Sequence, residues 1–164
     1  MSTWMIVEDE SDIYTLLLAM FDVWGIDGIA FLEGEEAVHW IEDVDSGMFV
    51  MEPPELALID IRLPGDISGV QIGARLRQSA RLSQMVIVMI TAFRLSAADE
   101  TAVRVEAGAD LLLYKPLPDL PLLRSMLEKA LIARRAAHAA ALPVDVPPTG
   151  NPSRDLNQTR SNGS

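Results

Sequence analysis

Apolar and polar positions alternate in blocks along this chain, and the blocks switch between two periods. Trp4 to Val7 is a short apolar run that stops abruptly at Glu8-Asp9-Glu10. Beyond it, Ile13, Leu16, Leu17, Met20 and Trp24 recur at helical spacing, with Ser11 placed to cap that helix and Gly25 just past its end. Gly28 to Leu32 reads as a second strand and Glu33 to Val44 as a second helix whose apolar positions are Ala37, Val38, Trp40 and Ile41. A looser stretch, Asp45 to Pro54, carries a Pro-Pro pair and reads as a loop. Leu56 to Ile59 is a third strand ending at Asp60, and the turn Leu63-Pro64-Gly65 leads to a third helix over Gly69 to Arg81. Met85 to Ile90 is a wholly apolar strand followed by Thr91-Ala92, and Ser96 caps a fourth helix that ends at Gly108. Leu111 to Tyr114 is the fifth strand, Lys115-Pro116 follows it, and the last helix runs from Asp119 to Ala141.

Five strand-then-helix units with continuous apolar strands predict an α/β fold, a doubly wound five-stranded parallel sheet covered on both faces. Strands buried on both sides lose their period of two, as Met85 to Ile90 does. In such sheets the working site lies at the carboxyl ends of the strands. The polar residues there form one chemical set: Glu8 and Asp9 after the first strand, Asp60 after the third, Thr91 after the fourth and Lys115 after the fifth. Three crowded carboxylates repel one another, and a hard divalent cation such as Mg²⁺ relieves that repulsion. With a cation and an ammonium beside it, a carboxylate is able to attack an anionic phosphoryl group.

Composition narrows the reading. The chain has 164 residues, of which 49% are hydrophobic, enough for one packed core. It has no cysteine, which excludes thiol catalysis and cysteine-held zinc and fits a cytoplasmic protein. The N-terminus has no basic start, and no apolar run approaches the roughly 20 residues that span a bilayer, so neither a signal peptide nor membrane insertion is expected. The net charge of −11 is uneven: residues 1–120 hold 21 acidic and 7 basic residues, residues 121–164 only 3 and 6. Direct nucleic-acid binding is therefore not expected, because a phosphate backbone needs basic patches. Lysine is scarce, Lys115 and Lys129 against 11 arginines, so a compact ammonium at the end of the fifth strand stands out. The eight methionines, with Phe21, Trp24 and Trp40, are read as core, and His39 and His138 as surface or packing residues.

The ordered set Glu8-Asp9, Asp60-Ile61-Arg62-Leu63-Pro64-Gly65, Thr91-Ala92 and Lys115-Pro116 resembles the receiver domain of two-component response regulators, over residues 3 to about 135. Each piece alone is weak; the order and spacing together are specific. The resemblance implies a flavodoxin-like (βα)5 fold with strand order 2-1-3-4-5. It further implies that Asp60 is the phosphoacceptor, that Glu8, Asp9, Asp60 and the Arg62 carbonyl hold Mg²⁺, that Thr91 is the switch hydroxyl and that Lys115 binds the phosphoryl group, before a cis Lys115-Pro116 bond. The partners it implies are a histidine kinase or phosphotransfer protein and a downstream protein target. The face of the fourth helix, fifth strand and fifth helix, with Arg94, Arg104, Leu112 and Arg124, is the candidate output surface and the candidate homodimer surface.

Departures from the family pattern add expectations. Leu112 stands where the family often has a reporting aromatic, three residues before the lysine, with Tyr114 adjacent to the lysine instead. The turn from Asp60 to Gly69 is one residue longer than the commonest form, and Met48 to Met51 is either a contact patch or a buried cover. Phe93 and Arg62 are expected to flank the phosphoryl group. Residues 1–141 are read as one receiver domain and 142–164, rich in Pro, Asn, Ser, Thr and Gly, as a disordered tail, so that a stand-alone regulator is expected. A haloacid-dehalogenase-type phosphatase would need a second aspartate where Arg62 stands, and a flavin carrier a Ser/Thr/Gly-rich loop where Glu8-Asp9-Glu10 stands. The alternative kept open is a receiver that acts as a scaffold without phosphorylation.

Overall fold

The computed structural model describes residues 1–143; the expected tail from 144 onward lies outside the described residues. The strands are β1 (Thr3–Val7), β2 (Asp27–Phe31), β3 (Leu56–Asp60), β4 (Val86–Thr91) and β5 (Leu111–Tyr114). Between and after them come α1 (Ser11–Trp24), α2 (Gly34–Asp45), α3 (Gly69–Gln78), α4 (Ala97–Ala107) and α5 (Leu120–Ala141). All strand pairs are parallel, in the order β2-β1-β3-β4-β5, which is the expected doubly wound sheet.

The apolar runs explain the layering. Successive side chains of a strand point to opposite faces, so each central strand feeds two cores. Met5, Val7, Ala57, Ile59, Ile87 and Met89 pack with Ala37 and Ile41 of α2, Ile72 and Leu76 of α3, and Ala107 of α4. Trp4, Ile6, Leu56, Leu58, Val86 and Val88 pack with Leu17, Met20 and Phe21 of α1 and with Leu123, Leu127 and Leu131 of α5. At the base of the sheet the Arg77 guanidinium donates to the carbonyls of Gly108, Ser83 and Met85 and to the Asp110 carboxylate, tying α3 to the entries of β4 and β5. Among the described residues no helix is long and apolar enough to cross a membrane.

Several expected details are corrected. Ser11 is the first helical residue, not the cap; Glu10 takes the extended N-cap conformation, and no side chain caps α1. The third helix ends at Gln78 instead of Arg81, because Ser79 turns extended (ψ 128°) and its buried hydroxyl bonds Asp45 and accepts from the Leu82 N–H. The methionines divide: Met5, Met20, Met85 and Met89 are core, whereas Met1 and Met48 are exposed. Of the β3-side loop, Met48, Phe49 and Val50 are exposed while Pro54 is buried, and Arg81 holds the loop through the Phe49 and Met51 carbonyls. The segment is thus an exposed apolar tip on a pinned base. Both histidines are exposed, as expected.

Gly69 decides where β3 ends relative to α3. Its N–H bonds the Ile61 carbonyl at 2.9 Å, and a Cβ built there would lie 2.0 Å from the Asp60 carbonyl oxygen. That oxygen is backbone, so the clash is relieved only by moving the strand end that carries Asp60 or the start of α3. Gly69→Ala is expected to lower unfolding free energy by about 2 kcal/mol or more, read by urea denaturation. A loss within 0.5 kcal/mol, the ordinary range for neutral surface changes, would show that this approach is not constraining.

Candidate functional site

The sheet register assembles the site. Val7 pairs with Ile59, so the next residues, Glu8 and Asp60, emerge side by side from adjacent strands where the strand order reverses. Thr91 pairs with Tyr114, and the Lys115 N–H bonds the Thr91 carbonyl at 2.8 Å, so β5 delivers its lysine to the same edge. The Lys115-Pro116 bond is cis, as expected.

The Lys115 ammonium lies 2.7 Å from Asp60 Oδ2, 3.1 Å from Glu8 Oε2 and 2.8 Å from Glu10 Oε1. Glu8 and Asp60 are almost wholly buried, at 1% and 5% exposure. Asp60 Oδ1 accepts from the Arg62 N–H at 3.1 Å, and Glu8 Oε1 accepts from the Glu10 N–H at 3.0 Å. Glu8 Oε2, though near the ammonium, is buried without a hydrogen bond of acceptable geometry. Burial pushes the Glu8 carboxyl up to about 7, opposed by the Glu10 N–H and reinforced by the charge of Asp60. Burial alone would lower Lys115, but its bonds to Asp60, Glu10 and Glu8 outweigh that and hold it above the usual lysine range.

Carboxylate oxygens of Glu8, Asp9 and Asp60 all lie within 4.8 Å of one another. This donor set is hard and oxygen-only, Glu8 contributes an oxygen with no hydrogen bond, and Asp9 faces solvent. The residues fit Mg²⁺, which takes a few carboxylates and keeps water.

The structure brings Glu8, Asp9, Asp60 and Lys115 together and sets Thr91 at the neighbouring strand end. The Thr91 hydroxyl accepts from the Phe93 N–H at 3.1 Å. The Arg62 guanidinium lies over the Phe93 ring, 3.6 Å from its centroid, so the two expected flanking residues stack on each other. The long Asp60–Gly69 turn is held from α2, where Glu35 accepts from the Asp66 N–H at 2.9 Å.

Two members of the expected output face are corrected. Leu112 is 8% exposed and belongs to the core beneath α3 and α4, so it offers nothing to a partner. Arg124 turns toward α1, over the Trp24 ring, and bonds Glu128. Arg94 lies over the Tyr114 ring, and the Tyr114 hydroxyl bonds Glu100 of α4. Sequence reasoning missed the Glu10–Lys115 pair; the only signal was a third acid in the run after β1.

The sequence profile described as "Response regulator receiver domain" matches residues 4–128. The chain is similar to the alkaline phosphatase synthesis transcriptional regulatory protein PhoP of Bacillus subtilis, 32% identical over 115 residues, covering 68% of this chain and 41% of that protein. It is 30% identical over 131 residues to the phosphate regulon transcriptional regulatory protein PhoB of Rhizobium meliloti, covering 76% of this chain and 52% of that protein. The chain thus spans about half, or less, of these curated relatives. In fold it is similar to a CheY-like response regulator receiver domain protein from Methanospirillum hungatei, with a TM-score of 0.66 at 23% identity, over 84% of this chain and 98% of that one.

The raised Glu8 carboxyl has a consequence for stability. In the unfolded chain this group titrates near 4.5 and in the folded chain near 7, so the folded state binds the extra proton. Its contribution is fully present below 4.5 and is lost as pH rises to about 7. In chelator, wild-type melting temperature is expected to fall relative to Glu8→Gln across that window. A constant difference between the two proteins would refute the assignment.

Proposed function

The chain belongs to the response regulator receiver family, and on that premise we propose that Asp60 accepts a phosphoryl group in the presence of Mg²⁺ and that the change is read by another protein. Receivers are signalling domains of two-component systems, not enzymes acting on an outside substrate, and the chemistry proposed here is on the chain itself. The observation that carries the reading is the buried Asp60 carboxylate, 2.7 Å from a buried ammonium and beside a Glu8 oxygen without a hydrogen bond. Such crowding is costly in a fold that makes no use of it.

Glu8, Asp9, Asp60 and the Arg62 carbonyl would hold Mg²⁺, which when bound supplies positive charge against the carboxylates and the phosphoryl oxygens. An Asp60 oxygen attacks phosphorus while the bond from phosphorus to the donor's leaving atom breaks, and the electron pair departs with that atom. Lys115 exchanges a carboxylate for a phosphoryl oxygen. Thr91 donates its hydroxyl to another, since its present bond uses the oxygen only as acceptor. The Arg62–Phe93 stack restricts the line along which water would attack the acyl phosphate.

The donor is a histidine kinase or phosphotransfer protein, the partners with which receiver domains work. For output we favour α4 and its edge with β5. Among the described residues α4 buries only Ala107, with Val103 partly buried against the same core, so it is the helix least anchored in the interior. Arg94 and Arg104 are the expected members of that face that remain after Leu112 and Arg124 are withdrawn, and Tyr114, which lies under Arg94 and bonds Glu100, joins them. Homodimerisation through the same face is part of this proposal.

Intact-protein mass after incubation with acetyl phosphate or phosphoramidate is expected to show one Mg²⁺-dependent phosphoryl adduct, absent from Asp60→Asn. No adduct under either donor would remove the phosphoacceptor role. In Phe93→Ala, which exposes the site to water, the phosphoryl half-life is expected to shorten about threefold, a barrier change below about 1 kcal/mol. An unchanged half-life would show that the stack does not shield the phosphoryl group.

A further inference from the structure

Lys115 spends its three ammonium protons on three carboxylates, and one of these lies outside the proposed metal and phosphoryl set. Its hydrogen bonds run to Asp60 Oδ2 at 2.7 Å, Glu10 Oε1 at 2.8 Å and Glu8 Oε1 at 3.3 Å. Glu10 occupies the N-cap position of α1, yet its carboxylate makes no cap bond and is turned onto the lysine instead. The three acids differ in freedom: the side chains of Glu8 and Asp60 are 1% and 7% exposed, that of Glu10 is 55% exposed. When a phosphoryl oxygen claims the ammonium, Glu10 is the partner that is able to leave for water at least cost.

We propose that Glu10 is a positioning residue that holds Lys115 at rest and biases the site toward phosphodonors with a P–N bond over free acyl phosphates. This rests on the phosphoacceptor reading of Asp60. An acyl phosphate brings two negative charges to a mouth that already has Glu10 at its rim. A donor whose leaving nitrogen carries a proton, such as phosphoramidate, brings one. Charge interactions scale with the product of the charges, so Glu10 opposes the dianion about twice as strongly in free energy as the monoanion. In both cases the new bond is Asp60 O–P. With acetyl phosphate the P–O bond breaks and acetate leaves with the electron pair; with phosphoramidate the P–N bond breaks and the protonated nitrogen leaves as neutral ammonia. No further reactant is needed.

The test uses Glu10→Gln, which keeps the side-chain shape and removes the charge. Labelling by acetyl phosphate is expected to speed up about fourfold and labelling by phosphoramidate about twofold, the square-root relation that the charge ratio dictates. This gap should narrow in 0.5 M salt, where exposed charges are screened beyond about 4 Å. A second readout does not depend on phosphorylation. The chain has only two lysines, Lys115 and Lys129, so the acylation rate of Lys115 by acetic anhydride is measured against Lys129 as internal standard. Loss of Glu10 should raise that ratio severalfold. An unchanged lysine ratio, or an acceleration equal for both donors, would overturn the proposal. A wild-type chain labelled by neither donor would overturn the phosphoacceptor reading and the donor bias with it, while the lysine ratio would still decide whether Glu10 holds Lys115.

Discussion

The Lys115 ammonium, its side chain 8% exposed and within 2.7–3.3 Å of Asp60, Glu8 and Glu10, is the contact on which the carboxyl edge of the sheet depends. Removing a carboxylate from water costs several kcal/mol unless it is paired and hydrogen-bonded, and here two are removed side by side. One ammonium does not satisfy both. Asp60 takes the shorter bond and the Arg62 N–H, while Glu8 keeps an unbonded oxygen and a carboxyl raised to about 7. The resting protein therefore holds an electrostatic deficit that a divalent cation reduces. The same deficit suits the acidic group of Glu8, Asp9 and Asp60 to a hard divalent cation such as Mg²⁺.

The fold supplies this geometry chiefly through strand register and backbone approach. Parallel register puts Glu8 beside Asp60 because Val7 faces Ile59, and the close approach at Gly69 fixes where β3 stops. At the opposite edge Arg77 binds three carbonyls and Asp110, so the bases of β4 and β5 are held together. Between these anchored ends α4 contributes only Ala107 to the buried interior, whereas α3 contributes Gly69, Val70, Ile72, Gly73 and Leu76. α3 is thus anchored in the interior more deeply than α4, which rests largely against α3.

The parallel sheet and the candidate site were legible because each candidate residue terminates an apolar run, whereas the strand order came from the resemblance to receiver domains. Glu8, Asp60, Thr91 and Lys115 stand out as polar residues at the ends of strands that are otherwise buried. Element boundaries were less legible where one side chain redirects the backbone: Ser79 ends α3 early through Asp45, and Glu10 displaces Ser11 from the cap position. Contacts between residues distant in sequence left no local trace. Lys115 meets Glu10 across 105 positions, Arg77 meets Asp110 across 33, and the Arg62–Phe93 stack depends on how two loops meet. Leu112 was misplaced on the output face for a related reason: in a four-residue strand with core on both sides, an apolar side chain gives no sign of which way it faces.

The hydrogen bonds around Thr91 indicate how a change at Asp60 would reach α4. The Thr91 oxygen accepts from the Phe93 N–H, and among the described residues its own proton has no acceptor. A hydroxyl donates and accepts at once, so it can turn toward a phosphoryl oxygen without releasing Phe93. The loop after β4 would then be drawn along with the hydroxyl instead of being set free by it. Along that loop the Leu95 N–H bonds the Tyr114 hydroxyl at 3.4 Å, and Tyr114 in turn bonds Glu100 in the first turn of α4. Such a pull would act on the start of α4, the helix with the fewest buried residues. Leu112 need not rotate, because Tyr114, adjacent to the lysine, already joins the loop, the strand and the helix.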